Sequence, residues 1–254
     1  MMTNKKNNLS YILGLKMKII KEFGFELNPQ SVILDFGCGS GKYVKELREN
    51  GYQAFGCDIN LKSEENVDTE SMIKNDIIRL IDLKNYILPF EDNTFDLIIS
   101  DQVFEHVQNY SETIYEISRI LKPEGFCLHI FPSRYITFEP HVFVPFSSVV
   151  QSYWWVQLWV FLGIRNEWQD SHSIKERSIR FYNYLKDKTN YLSKKQLEEK
   201  FRLYFKDVIF CEKTFLKFSR RGKYLFVVTK IFPFISSLYS TFYSRTILTR
   251  LPVR

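Results

Sequence analysis

Residues 32–41 read VILDFGCGSG, an apolar run closed by one acid and then a glycine at every second position. The run predicts a strand, and the glycines predict a tight turn into a helix. Such a turn uses positive φ angles and lets a ligand approach the backbone with no Cβ in the way. The spacing also limits the ligand. A dinucleotide fingerprint requires GxGxxG so that a pyrophosphate can sit at the helix N-terminus. Here Gly37, Gly39 and Gly41 give GxGxG, with Lys42 where the third dinucleotide glycine would stand, which disfavours NAD. The next apolar run ends in Gly56-Cys57-Asp58, placing an acid 17 residues beyond Gly41. At the carboxyl edge of a sheet a carboxylate there can accept hydrogen bonds from both hydroxyls of a ribose.

Short apolar runs recur through the first half: Val32–Phe36, Gln53–Asp58, Arg79–Ile81, Phe95–Asp101 and Phe126–Pro132. Helical patterns lie between them, including Lys42–Asn50, stopped by Gly51, and Ser111–Leu121, stopped by Lys122-Pro123-Glu124-Gly125. The alternation predicts an α/β fold, a doubly wound, mostly parallel seven-stranded sheet of the Rossmann-like kind. Ser193 with Gln196 predicts a capping box opening a helix over Lys194–Phe201. The β-rich runs Phe205–Phe210 and Tyr224–Lys230 predict an antiparallel edge hairpin. From Val142 to Ile164 there is no charged residue, yet Pro145, Ser147, Ser148, Gln151, Ser152 and Gln157 dilute the run, which reads as an aromatic-rich cap or interfacial segment rather than a membrane span. The expected division is a helical segment over 1–30, a cofactor-binding core over 31–133, a cap insertion over 134–192, a helix with edge strands completing the core over 193–230, and a basic aromatic tail over 231–254. Lys16, Lys18 and Lys21 interrupt the apolar part of the first segment and no small-residue cleavage site follows, so it reads as an amphipathic helix and not a signal peptide.

Cys38, Cys57, Cys127 and Cys211 stand far apart with no CxxC pair and no histidine at zinc spacing, so a reducing, cytoplasmic setting and no metal are expected. The charge is lopsided. Residues 1–150 hold 15 Lys/Arg against 21 Asp/Glu, and residues 151–254 hold 20 against 8. An anionic partner would be held by the second part. The tryptophans of 151–168 and the uncharged, aromatic stretch Ile231–Ser244, flanked by Lys and Arg, fit either a cap over the active site or a peripheral contact with an anionic membrane surface, at the inner face of the membrane.

Together LDFGCGSGKY (34–43), GCDIN (56–60), LPFEDNTFDLIISDQVFEHV (88–107) and LKPEGFCLHIFPS (121–133) resemble, in order, four motifs of class I S-adenosylmethionine-dependent methyltransferases. The resemblance covers roughly residues 30–133. It implies S-adenosyl-L-methionine as cofactor, with Asp35 orienting the methionine ammonium and Gly37, Cys38, Gly39 and Gly41 lining the cofactor. Asp58 would bind the ribose, with Ile59 beside it, and Asp101 and Gln102 would line the methionine end. The acid beside the adenine is Asp82 or Asp76, with Asp82 the better fit if Arg79–Ile81 is the strand just before it.

A sulfonium donor is already activated, so in-line displacement needs no metal, and catalysis can come from positioning. A hydroxyl acceptor still benefits from a base. Of the four histidines, His141 in Phe138-Glu139-Pro140-His141 is the first choice and His106 in Phe104-Glu105-His106-Val107 the second. His129, inside an apolar strand, reads as a core histidine, and His172 lies in a polar setting. The stretch from Phe131-Pro132-Ser133 through Glu139-Pro140-His141 to Val144-Pro145-Phe146 resembles bacterial methyltransferases of sugars and cell-surface glycans. The expected function is O-methylation of a sugar or lipid-linked glycan intermediate. A methyltransferase of a quinone-like or other lipid, and a non-catalytic binding module for nucleic acid or membrane, stay open as alternatives. Neither an NPPY tetrapeptide nor a cysteine nucleophile pair is present, which disfavours nucleic acid.

Overall fold

Strands β1 (Val32–Phe36), β2 (Gln53–Asp58) and β4 (Phe95–Asp101) bury neighbouring residues that point to opposite faces, as Ile33 with Leu34 and Leu97 with Ile98 show. A strand apolar on both sides needs cover on both. The computed structural model, which describes residues 9–84, 86–164 and 173–253, supplies that cover with helices on each face of one sheet. On one face α1 (Tyr11–Glu22), α2 (Lys42–Glu49), α3 (Thr69–Lys74) and α8 (Glu212–Phe218) contribute Leu13, Val44, Met72 and Phe215 to a core that includes Ile33 and Leu97. On the other, α4 (Tyr110–Ile120) and α7 (Lys194–Arg202) contribute Ile114 and Phe201 to a core that includes Leu34 and Ile98.

The remaining strands are β3 (Ile78–Leu80), β5 (Leu121–Pro132), β6 (Phe205–Phe210) and β7 (Ser244–Pro252), and the order across the sheet is β3-β2-β1-β4-β5-β7-β6. Strands β1 to β5 pair in parallel, while β7 runs antiparallel to both β5 and β6. The chain reverses its direction of winding between β1 and β4. In open α/β sheets ligands bind at the carboxyl ends of the strands beside such a reversal. The mostly parallel seven-stranded sheet with an antiparallel pair at one edge is the fold that the alternation predicts.

One strand differs from expectation. Tyr224–Lys230 is not a strand but lies in helix α9 (Gly222–Ile231), followed by α10 (Phe234–Phe242). The partner of β6 is instead β7, from within the stretch read as a tail, with Thr246, Ile247, Leu248 and Thr249 buried between β5 and β6. β-rich composition is a weak preference that surroundings override. Tyr224, Val227 and Ile231 recur at helical spacing and share an exposed face, a period the alternation Tyr224, Phe226, Val228 obscures.

The segment expected to form a cap has its own small core, in which Val156 and Val160 of α5 (Tyr153–Phe161) meet Phe181 and Leu185 of α6 (Ile174–Lys188), with Val142 and Val144. Ser193 and Gln196 form the predicted capping box, and Ser173 with Glu176 forms another. No helix among the described residues is long and apolar enough to cross a membrane. Trp168 and His172 lie outside the described residues.

Candidate active site

The turn between β1 and α2 holds Gly37, Gly39 and Gly41 at φ of +78°, +55° and +84°. The three are needed for different reasons. A Cβ on Gly37 would strike Val103 Cγ2 at 2.3 Å and one on Gly41 would strike Ile78 Cδ1 at 2.1 Å, whereas one on Gly39 would meet nothing within 4 Å. Gly37 and Gly41 thus let the turn pack, and Gly39 opens onto a cleft of about 360 Å³ whose lining includes Asp35, Cys38, Tyr43, Lys62 and Asp101.

Asp58 closes the turn from the next strand. One oxygen accepts from the Gly39 amide at 2.7 Å and the other from the Asn60 amide at 3.1 Å. Two amide contacts fix the plane of the carboxylate at the carboxyl end of β2. Ile59, next in the chain, is half exposed and leaves apolar surface at the same edge. Asp82 stands two residues past β3, whose Leu80 is level with Asp58, and it accepts from the Lys84 amide at 2.9 Å. Asp76 precedes β3, at the amino end of the strand, and is engaged with both Nε and Nη2 of Arg79. Of the two acids only Asp82 shares the edge that carries Asp58.

Asp35 is fully buried, and burial pushes its carboxyl up to about 7. Lys16 opposes the shift and the carboxylates of Asp101 and Asp58 add to it. Lys16 is itself fully buried, 3.5 Å from Asp101 Oδ2 and over the ring of Tyr43, and its ammonium has no hydrogen-bond partner. In the sequence Lys16 reads as a break in the apolar part of an amphipathic helix. Its spacing from Leu13, Ile19 and Ile20, all buried, was the available sign that it points inward. Gln102 follows β4 in the left-handed region, at φ 54°, with its amide on the Ile130 carbonyl at 2.9 Å.

Beyond Asp101 the chain makes a single 3-10 turn over Phe104–His106, and a second cluster forms there. His106 Nδ1 lies 2.7 Å from the Lys188 carbonyl. A carbonyl only accepts, so Nδ1 carries the proton and Nε2 presents a lone pair. His141 Nδ1 lies 2.7 Å from Glu139 Oε1, and the His141 and Val142 amides donate to Glu139 Oε2. Burial works against ionised Glu139, but His141, the Val142 amide and the Tyr191 hydroxyl outweigh it and hold the carboxyl below its ordinary range. The two imidazoles pack edge to face with centroids 4.8 Å apart. Desolvation lowers the pKa of His106, so its neutral form is favoured. Next to them Glu105 is buried with no described side chain donating to its carboxyl, and burial, opposed by a weak backbone hydrogen bond, pushes that carboxyl up to about 8.

Asp101, which lines the cleft, raises the carboxyls of both Asp35 and Glu105 and so lies near each of them. The structure brings His106 and His141 together, 35 residues apart in sequence. His129 stays in the core as expected, with Nδ1 2.9 Å from Ser100 Oγ and desolvation lowering its pKa to about 3. Glu139, Glu105 and Tyr191 were not assigned from sequence. Glu139 was visible two residues before His141, whereas no spacing signals Tyr191.

Residues 34–129 match a family model described as a methyltransferase domain. A glycine/sarcosine/dimethylglycine N-methyltransferase of Actinopolyspora halophila is 30% identical over 114 residues, 42% of this chain and 20% of that protein. A sterol 24-C-methyltransferase of Schizosaccharomyces pombe is 32% identical over 129 residues, 46% of this chain and 29% of that protein. The chain thus spans less than a third of the length of either curated relative. Phosphoethanolamine N-methyltransferase 2 of Haemonchus contortus, solved with phosphomonomethylethanolamine and S-adenosylhomocysteine, aligns with a TM-score of 0.53 at 17% identity, covering 94% of this chain and 53% of that one. The glycine turn, the paired acids and the sheet order all fall within or around the stretch over which the chain is similar to the methyltransferase-domain family, residues 34–129.

Proposed function

We propose that the chain transfers a methyl group from S-adenosylmethionine to a hydroxyl of a sugar or lipid-linked glycan intermediate. The observation that carries the hydroxyl acceptor is His141, whose ring is fixed through Nδ1 by a buried, ionised Glu139. In this reading Asp35 faces the methionine ammonium, Gly37, Cys38, Gly39 and Gly41 line the cofactor, Asp58 holds the ribose, Ile59 and Asp82 flank the adenine, and Asp101 and Gln102 border the methionine end. The acceptor hydroxyl lies between the sulfonium methyl and the histidines. Its oxygen forms the bond to carbon as the S–CH3 electron pair returns to sulfur, and its proton is lost at the histidine cluster.

A second reading, a lipid or lipid-linked acceptor presented at an anionic membrane surface, draws support from α9 and α10. Ile231, Phe234 and Leu238 are exposed there, and a groove of about 480 Å³ combines Phe215, Tyr239 and Tyr243 with Arg220 and Arg221. The end of α10 is tied to the segment after β5, through Ser133 to the Tyr243 carbonyl and Thr137 to the Phe242 carbonyl. Apolar side chains with basic neighbours are what an interfacial contact uses.

Radiolabelled S-adenosylmethionine and fractionated cell extract test both readings. Label entering glycan or glycolipid is the expected result. Label entering RNA, or no transfer to any fraction, refutes the proposal, and flotation with anionic vesicles separates the lipid-surface reading from a water-soluble acceptor.

A further inference from the structure

Glu105, His106 and His141 each offer one ligand atom, and these atoms lie within 4.8 Å of one another. The geometry points to a divalent first-row transition-metal site at this cluster, adjoining the acceptor position. Three features support it beyond proximity. First, Glu105 is a buried carboxylate to which no described side chain donates, supported only weakly by a backbone amide, and its Oε1 is 4.0 Å from His106 Nε2. A buried carboxylate with so little hydrogen-bond support is costly unless a cation or a proton neutralises it. Second, the Nδ1 of each imidazole is held by an outer acceptor, the Lys188 carbonyl for His106 and Glu139 for His141. That arrangement fixes the tautomer with the lone pair on Nε2 and raises its basicity, as the outer partners of metal-bound histidines do. Third, the donor set of two imidazoles and one carboxylate suits Zn²⁺, Fe²⁺ or Co²⁺ and is a poor match for Mg²⁺, which prefers oxygen ligands.

A cation about 2.1 Å from each ligand would draw the ligand atoms to about 3.4 Å from one another, a closure of up to about 1.4 Å that rotation of the Glu105 side chain and ring tilts can supply. Three protein ligands leave a position open. This inference rests on the hydroxyl-acceptor reading for its purpose: the acceptor oxygen takes the open position and the cation lowers the pKa of its hydroxyl. The proton then leaves to water, since the ring nitrogens are occupied as ligands, and the O–CH3 bond forms as the S–CH3 pair returns to sulfur. Sequence spacing gave no sign of such a site, because His106 and His141 sit on separate loops that only the packing of the cap brings together.

The test uses untagged, chelator-treated full-length protein and Co²⁺ or Zn²⁺ alone, followed by calorimetry and, for Co²⁺, visible absorption. Saturable binding of one equivalent is expected, with Mg²⁺ far weaker. Glu105→Gln removes the charge without changing the volume, and His106→Asn removes one nitrogen ligand; each is expected to weaken Co²⁺ binding by tenfold or more. Thermal melting of metal-free Glu105→Gln checks that the variant is folded, and it should melt no lower than wild type, since an unpaired buried carboxylate is lost. Absence of saturable binding, or unchanged binding in folded Glu105→Gln, overturns the site. The same preparation is titrated with S-adenosylhomocysteine. Protein that binds the nucleoside but no Co²⁺ refutes the metal site alone, and protein that binds Co²⁺ but no nucleoside refutes the methyl-transfer reading alone.

Discussion

Asp35 offers a quantitative test of the cofactor cleft. Its carboxyl, pushed up to about 7 by burial, sits among Lys16 from α1, Asp58 from β2 and Asp101 from β4, with Cys38 and Tyr43 nearby. If the ammonium of S-adenosylmethionine binds against the ionised form, Asp35 must release its proton first, and the observed dissociation constant scales with the factor 1 + 10^(pKa − pH). That factor is about 33 at pH 5.5 and 2 at pH 7.0, so binding should be roughly 16-fold weaker at pH 5.5. An α-amino group, with a pKa of about 7.7–8.0, stays largely charged across this window, so the ligand does not supply the change. Calorimetry with S-adenosylhomocysteine in two buffers of unlike ionisation heat reads both affinity and proton release. Close to one proton should leave on binding at pH 5.5 and about half a proton at pH 7.0. In Asp35→Asn the pH dependence should disappear along with most of the affinity. A wild-type dissociation constant that changes less than about twofold, with no proton release, would refute the placement of the ammonium against Asp35.

The same carboxyl bears on stability. Its folded pKa is raised from 3.8 to about 7, so its contribution is fully present below pH 3.8 and is lost as pH rises through about 7. Asp35→Asn should remove that decline, and urea titrations should show the variant gaining on wild type between pH 4 and 7.5 by up to about 4 kcal/mol. Gly41→Ala forces a left-handed residue to carry a Cβ 2.1 Å from Ile78 Cδ1, and a loss of about 2–4 kcal/mol by denaturant unfolding is expected. Asp58→Ala should abolish nucleoside binding in calorimetry, and near-wild-type affinity would remove the ribose assignment. His141→Ala should keep nucleoside affinity and lose turnover, and unchanged turnover would remove His141 from the acceptor site.

The cofactor half was legible because its geometry is local. A strand, a bend of three glycines and an acid at the tip of the next strand lie within residues 32–58, and periodicity with φ requirements specifies them almost residue by residue. The proposed acceptor half is assembled from distance. His106, His141 and Tyr191 come from three loops, and the burial of Glu105 and Glu139 depends on how the cap settles, which no spacing records. The misread strand has the same origin. Tyr224–Lys230 has the composition of a strand, but α8 and α10 around it decide that it is a helix. Lys16 was the exception, a buried charge whose inward position was present in the helical repeat and overlooked.

The place of β7 has a consequence for how the protein comes off the ribosome. Strand β5 ends at Pro132 and waits for a neighbour that begins at Ser244, roughly 110 residues later. At about 5–20 residues per second the open edge of β5 stays bare for several seconds or more, while β6 emerges with nothing yet to bridge it to the sheet. A nascent chain with a bare, apolar strand edge is an aggregation hazard. Slower translation or scarce chaperones should therefore lower the soluble yield of this protein more than that of folds whose neighbouring strands are consecutive.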